Sequence, residues 1–398
     1  MKNLLYYVKK NGNKSFDDLE FNENDALLLA QLSYLYFEKV IYNNSKGYSL
    51  KSVMTDENAL TLCFGAMNFK NNMRLVHIFQ NITRYDNIIF SDLVSNFDIY
   101  KNQQFFAMTF WLEDVLFISF RGTDLSMAGW REDFNMWFSK ATPCQIDAVK
   151  YTEMIYEKYH HKMILSGHSK GGNLAFYSGL YSKPEVIDNM IKIISFDGPG
   201  LKDKEPFESK EYERIKHRCV TYSSASSIVA ILLYHVENVI FLKSRSISIL
   251  QHSAYNWYID TERNLKRIRN NKLLSRFLDR ALTKFLLVTT DRERERFVDI
   301  LFMLAEHNPD QTLLDIKYHP FSYIRNLIRR KKLLKYSQWK FLKLEFKKMR
   351  LCFKDVYEAR RNTRKLEAKK RKAKKLLLSK SKKNYKSNKK IVNSKESA

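Results

Sequence analysis

Residues 163–176, MILSGHSKGGNLAF, set Ser169 between Gly167 and Gly171. A short apolar run (Met163 to Leu165) precedes it and an amphipathic run (Asn173 to Leu180) follows, the order of a strand, a tight turn and a helix. In such an elbow a Cβ at either glycine collides with the neighbouring backbone. The serine is then pushed up with Oγ exposed, as an activated nucleophile requires. A nucleophilic serine also needs a base to take its proton, an acid to orient that base, and donors for an oxyanion. Five histidines follow Ser169: His217 opens a predicted strand, His235 lies inside an amphipathic run, and His307 and His319 fall in a helical region downstream. His252, in ISILQHSAYNW, sits in a loop just past the last predicted strand and is the expected base. His168, beside the serine, points the wrong way for a base and reads as a packing residue or as a support behind the residues that do the chemistry. The backbone N–H of Lys170, next after the nucleophile, is the expected first oxyanion donor. The second is expected from ISFRGTD (118–124), where Thr123 offers both an N–H and a hydroxyl.

These residues need a frame, and glycine marks its limit: all 11 glycines lie between Gly12 and Gly200. The first part has the turn chemistry of a mixed α/β fold, and the second is expected to be mainly helical. Residues 25–38 read as a helix capped by Asn22 or Asn24. Residues 104–111 and 115–120 read as two strands joined at Glu113 and Asp114. Helices at 145–159 and 170–182 alternate with strands at 162–166, 191–196, 218–222 and 238–242. That alternation predicts a mostly parallel sheet with helices on both faces. Asp124, Trp130, Glu132 and Asp133 form a polar and aromatic segment after the Thr123 loop. It reads as an anchor for the next helix, or as a lid or substrate wall.

The 398 residues suffice for a full core, and 44% apolar with 14% aromatic composition argues against general disorder. Cys63, Cys144, Cys219 and Cys352 are far apart and form no C-x-x-C pair, which predicts reduced thiols rather than disulfides or a zinc site. The first residues lack a signal-peptide pattern, and no apolar window approaches the roughly 18 residues needed to span a bilayer. The expected location is cytoplasmic, with peripheral contact at a membrane allowed by the basic end. Of the formal charge of +26, a net +15 sits in residues 360–398, which hold 17 Lys or Arg and two acidic residues. Lys and Arg interleaved with Leu, Phe and Tyr over 322–398 suit an anionic membrane surface or nucleic-acid phosphates. Sparse aromatics beyond Tyr357 weigh against base stacking. Residues 379–398 are low in complexity and expected to be disordered.

FRGTDLSMAGWREDF (120–134), followed by LSGHSKGGNLA (165–175), resembles the class 3 lipase pattern of α/β-hydrolases. The likeness is greatest to a bacterial family of lipase-like domains of unknown function. FNENDALLLAQLSYLYFE (21–38), SFDGPG (195–200), SSIVAILL (226–233) and ILQHSAYNW (249–257) are similar to it as well. The resemblance covers about residues 1–260, weakens up to about 315, and does not reach the basic extension. It implies an α/β-hydrolase with Ser169 as nucleophile, Thr123 as oxyanion residue and His252 as base. Class 3 lipases carry the acid in a segment that SSIVAILL resembles, but Ser227 stands at that position, and a serine cannot hold an imidazolium by charge. Asp197, at the end of the preceding strand, is where pancreatic-type lipases carry theirs, and it is the expected acid; Glu237 ranks behind it. The expected organisation is a hydrolase domain (1–260), a helical appendage (261–320), a basic helical extension (321–378) and a Lys-rich tail (379–398). The expected function is ester hydrolysis on acyl lipids, needing no metal or organic cofactor. The alternative is a catalytically silent scaffold that binds lipid, nucleic acid or protein through its basic extension.

Overall fold

The computed structural model describes residues 2–395 apart from 44–45, 226, 228, 236–237, 270–272 and 307–310. Its sheet has eight strands in sequence order: β1 (Tyr48–Ser49), β2 (Ile89–Asp98), β3 (Gln103–Leu112), β4 (Val115–Phe120), β5 (Lys162–His168), β6 (Met190–Phe196), β7 (Cys219–Ser224) and β8 (Asn238–Leu242). Strands β1 to β4 pair antiparallel, and β4 to β8 pair parallel.

Side chains alternate across this sheet, so it separates two cores. Phe106, Met108, Phe110, Phe117, Ile164 and Ile194 face one of them. This core is closed by α1 (Leu4–Asn11), α2 (Glu23–Leu32) and the helices α3 (Leu50–Val53), α4 (Asp56–Cys63) and α5 (Phe69–Phe79). Phe105, Ala107, Leu116, Ile118, Leu165 and Ile193 face the other. Over that face lie α7 (Pro143–Tyr159), α8 (Lys170–Tyr181), α9 (Pro184–Asp188) and α10 (Lys210–Ile215), the crossover helices between parallel strands. Between β4 and α7 lies α6 (Met127–Asn135). The mostly parallel, doubly covered sheet is the one expected from the alternation, and the arrangement is that of the α/β-hydrolase that the resemblance implies.

Helix α2 starts as expected at the Asn22 cap, with Asp25 completing a reciprocal capping box, but it ends at Leu32 rather than near residue 38. The reason lies across the chain. Arg121 donates to the carbonyls of Ser33 and Leu35 and pairs with Glu38 at 2.7 Å, drawing the chain out of the helix.

Beyond the sheet come α11 (Leu273–Leu287), α12 (Asp291–Ala305), α13 (Leu313–Tyr318), α14 (Pro320–Leu333) and α15 (Tyr336–Lys395). Helix α15 runs through to Lys395. No glycine or proline follows Pro320 to stop it, and Lys, Arg, Leu and Ala favour helix. Among the described residues no helix is long and apolar enough to cross a membrane.

Candidate active site

Ser169 stands between the end of β5 and the start of α8 with φ 59° and ψ −130°, a conformation non-glycine residues rarely hold. The tightness of the turn is measurable. A Cβ on Gly167 would lie 2.3 Å from the carbonyl carbon of Gly171, and one on Gly171 would lie 2.1 Å from the Phe120 carbonyl oxygen. The Ser169 N–H donates to the Phe196 carbonyl at 2.9 Å, tying the elbow to the end of β6.

Asp197 follows directly on β6, with φ 55° and no exposure to solvent. Its Oδ2 accepts from His252 Nδ1 at 2.7 Å, while its Oδ1 accepts from the Ser224 N–H at 2.9 Å. Its own N–H donates to the Tyr222 carbonyl at 2.7 Å, so the carboxylate is fixed from both sides. His252 closes a short 3-10 turn, Ser248–His252, beyond β8. The structure thus brings Asp197 and His252 together at the edge of the sheet from which Ser169 emerges. With Nδ1 turned to Asp197, Nε2 is the nitrogen of His252 left for a hydroxyl. Among the described residues no hydrogen bond joins the Ser169 hydroxyl to that ring.

Ser227, at the position of the usual acid, does other work. Its hydroxyl accepts from the Ala230 N–H at 3.1 Å and caps a turn. Glu237 lies outside the described residues.

His168 is a support that the sequence reading placed only loosely. Its Nε2 lies 2.7 Å from the His252 carbonyl and its Nδ1 2.9 Å from the Tyr34 hydroxyl. A carbonyl only accepts, so Nε2 carries the proton and Nδ1 accepts from Tyr34. Burial first, and then neighbouring His252, push His168 down to about 3, which keeps it neutral. Buried Trp257 packs near His168 and donates to the Gln251 carbonyl at 2.7 Å, steadying the same loop. Neither Tyr34 nor Ser224 carried a sequence signal, since each acts through a contact that only the closed sheet creates.

Thr123, the expected oxyanion residue, follows β4, and its hydroxyl donates to Asp133 Oδ2 at 2.5 Å. Burial pushes the Asp133 carboxyl up to about 6, against the pull of the Lys170 cation. Its Oδ1 is buried without a hydrogen-bond partner. Lys170 supplies the first N–H of α8, where helix N–H groups have no intrahelical acceptor. Its side chain is buried, pairing with Glu132 at 3.0 Å and donating to the Gln104 carbonyl at 2.7 Å. Glu132 also accepts from the Cys144 N–H at 2.9 Å, locking α6, α7 and the elbow together. Asp124 caps α6 through Ser126, and Trp130 donates to the Asp124 carbonyl, so most of this segment is an anchor.

Both members of the Lys170–Glu132 pair are fully buried, and removing one strands the other's charge. Glu132→Gln is expected to destabilise the fold by about 3–5 kcal/mol. Urea unfolding reads this directly, and a loss below about 1 kcal/mol would mean that the pair is not holding the elbow.

The sheet, the elbow and the residues gathered at its edge define a lipase-like α/β-hydrolase. Residues 79–303, more than half of the chain, match the model of the family described as Mbeg1-like, and the chain belongs to that family. No curated protein matches the chain. Among solved structures it is similar to the native propeptide complex of Rhizomucor miehei lipase (17% identity, TM-score 0.30), over 40% of this chain and 58% of that one. The chain therefore spans little more than half of that lipase's length. It is also similar to the Lip2 lipase of Yarrowia lipolytica (11% identity, TM-score 0.32), over 48% of this chain and 76% of that one.

Proposed function

We propose that this protein is a serine hydrolase cleaving carboxylic esters of acyl lipids. Ser169 Oγ attacks the carbonyl carbon while His252 Nε2 takes its proton, and Asp197 holds the imidazolium. The N–H of Lys170, with the N–H and the hydroxyl of Thr123, receives the oxyanion. The proton then passes from His252 to the leaving alkoxide, and water repeats the sequence on the acyl-serine. The observation that carries this reading is the 2.7 Å Asp197–His252 contact at the sheet edge that holds Ser169 in its strained turn. An apolar substrate is favoured by Ile247 and Leu250, 72% and 64% exposed on the loop leading into His252. The chemistry is assigned to residues 1–260, with 261–320 and 321–378 as helical additions.

The reading is tested by turnover of a panel of short- and long-chain acyl esters, for the wild type and Thr123→Val. Loss of one oxyanion donor costs on the order of 10²–10³ in turnover. Here the loss depends on pH. When Asp133 is ionised it accepts the Thr123 proton, which is then unavailable to the oxyanion. When Asp133 is protonated it donates to Thr123 instead, and the Thr123 proton is free to turn. The ratio of wild-type to Thr123→Val turnover is therefore largest at low pH and falls as pH rises through about 6, the range to which burial pushes Asp133. A flat ratio across this range means that the hydroxyl does not serve the oxyanion, and absence of turnover on every ester removes the hydrolase reading.

A further inference from the structure

The last part of the helical appendage, just ahead of the basic extension, is stitched to the Thr123 loop. The Met127 N–H donates to the Gln311 carbonyl at 3.2 Å, and the Leu313 N–H donates to the Leu125 carbonyl at 2.9 Å. Thr123 is two residues from this ladder. Leu313 and Ile316 pack with Met127, Trp130 and Phe134 of α6, whose Asp133 holds the Thr123 hydroxyl. Helix α14 then begins at Pro320.

Two faces of α14 differ sharply. Tyr323, Leu327 and Leu334 are partly buried, and Arg330 donates to the Met303 carbonyl at 2.6 Å, so this side lies on α12. The opposite side presents Phe321, Ile324 and Ile328, exposed by 86%, 51% and 54%. Their i, i+3, i+7 spacing makes one apolar stripe. Arg325, Arg329 and Lys332 flank it, all exposed. From Ile316 to Leu344 there are nine Lys or Arg and no Asp or Glu.

We propose that the outer face of α14 docks on an anionic lipid bilayer and so holds the site, through α13 and the 125–127 ladder, at that surface. A helix lies in the headgroup region when an apolar stripe enters the acyl boundary and flanking cations meet lipid phosphates. Nucleic acid would use the cations and leave Phe321, Ile324 and Ile328 in water. The docking stands on these observations alone; its use in bringing substrate to the site rests on the hydrolase reading.

The test uses the full chain and flotation with vesicles of equimolar phosphatidylglycerol and phosphatidylcholine, against phosphatidylcholine alone. Two variants are compared, Phe321→Ser/Ile324→Ser/Ile328→Ser and Arg325→Gln/Arg329→Gln/Lys332→Gln. All the altered side chains are solvent-facing, and circular dichroism checks that the folds match. Wild type is expected on anionic vesicles and not on neutral ones. The charge variant should bind about 10²-fold more weakly, at roughly fivefold per cation near an anionic surface. The apolar variant should lose at least roughly tenfold. Hydrolysis of a soluble short-chain ester should be equal in all three. The proposal is overturned if wild type does not float with anionic vesicles, or if the apolar variant binds like wild type. Tighter binding to single-stranded RNA than to vesicles, lost only in the charge variant, likewise overturns it in favour of nucleic acid. Vesicle binding without any ester turnover would keep the docking and remove the hydrolase reading.

Discussion

Ser169→Ala is expected to lose all labelling by a fluorophosphonate probe and to cut ester turnover on the order of 10⁶-fold, the scale seen when a triad serine is removed. The probe phosphonylates only a serine whose proton has a base to go to, so labelling reports activation rather than mere exposure. The fold should be retained, because alanine carries the same Cβ in the same turn. A second substitution separates chemistry from strain. Ser169 holds φ 59° and ψ −130°, a region that costs of the order of 1–3 kcal/mol for a residue with a Cβ. Ser169→Gly should therefore unfold at higher urea than wild type while being equally inactive. A protein that is stabilised when its serine is removed is one that maintains the turn for a purpose. Labelling that persists in Ser169→Ala would point to another serine. If folded wild type neither labels nor turns over any ester, the silent-scaffold alternative takes over.

The residues of this site differ in how far they can be read from sequence. Ser169 is legible because glycine spacing, an apolar run and an amphipathic run are all local, and the elbow they describe is set by backbone collision between near neighbours. His252 and Asp197 are legible only as strand-end positions, since which strand ends meet depends on the order of the sheet. The roles of Tyr34, Ser224 and Asp133 were not legible. Tyr34 reaches His168 across 134 positions of sequence, and no local pattern encodes such a contact. Strand β2 escaped for a different reason. Its pairing with β3 slips between Ser91 and Val94, and Asp92 there has φ 55° and takes Lys158 at 2.6 Å, so polar residues interrupt the apolar alternation. The early end of α2 likewise depends on Arg121, far along the chain.

Asp197→Asn is expected to fold normally and to lose about 10⁴ in turnover, whereas Ser227→Ala stays close to wild type. The size of the first effect follows from what surrounds the carboxylate. Asp197 Oδ1 accepts from the Ser224 N–H at 2.9 Å, and that donor cannot turn away because it belongs to β7. In the asparagine variant the amide oxygen must stay on the Ser224 side, since an NH₂ there would face an N–H. The NH₂ is then left facing His252 Nδ1, which in wild type lies 2.7 Å from Oδ2. An NH₂ donates, so Nδ1 gives up its proton and Nε2 takes it. His252 then meets the Ser169 hydroxyl with the nitrogen that cannot accept its proton. The substrate pocket is unchanged, so the loss should fall on kcat with KM nearly constant. Ser227 makes no contact of this kind; its hydroxyl accepts the Ala230 N–H at 3.1 Å, and losing that cap costs about 1 kcal/mol in stability. Stopped-time assays on one soluble ester, with urea unfolding of both variants, read the two outcomes side by side. Full activity in Asp197→Asn, or a large loss in Ser227→Ala, would mean that the imidazole is oriented from elsewhere and that the acid does not lie at the end of β6.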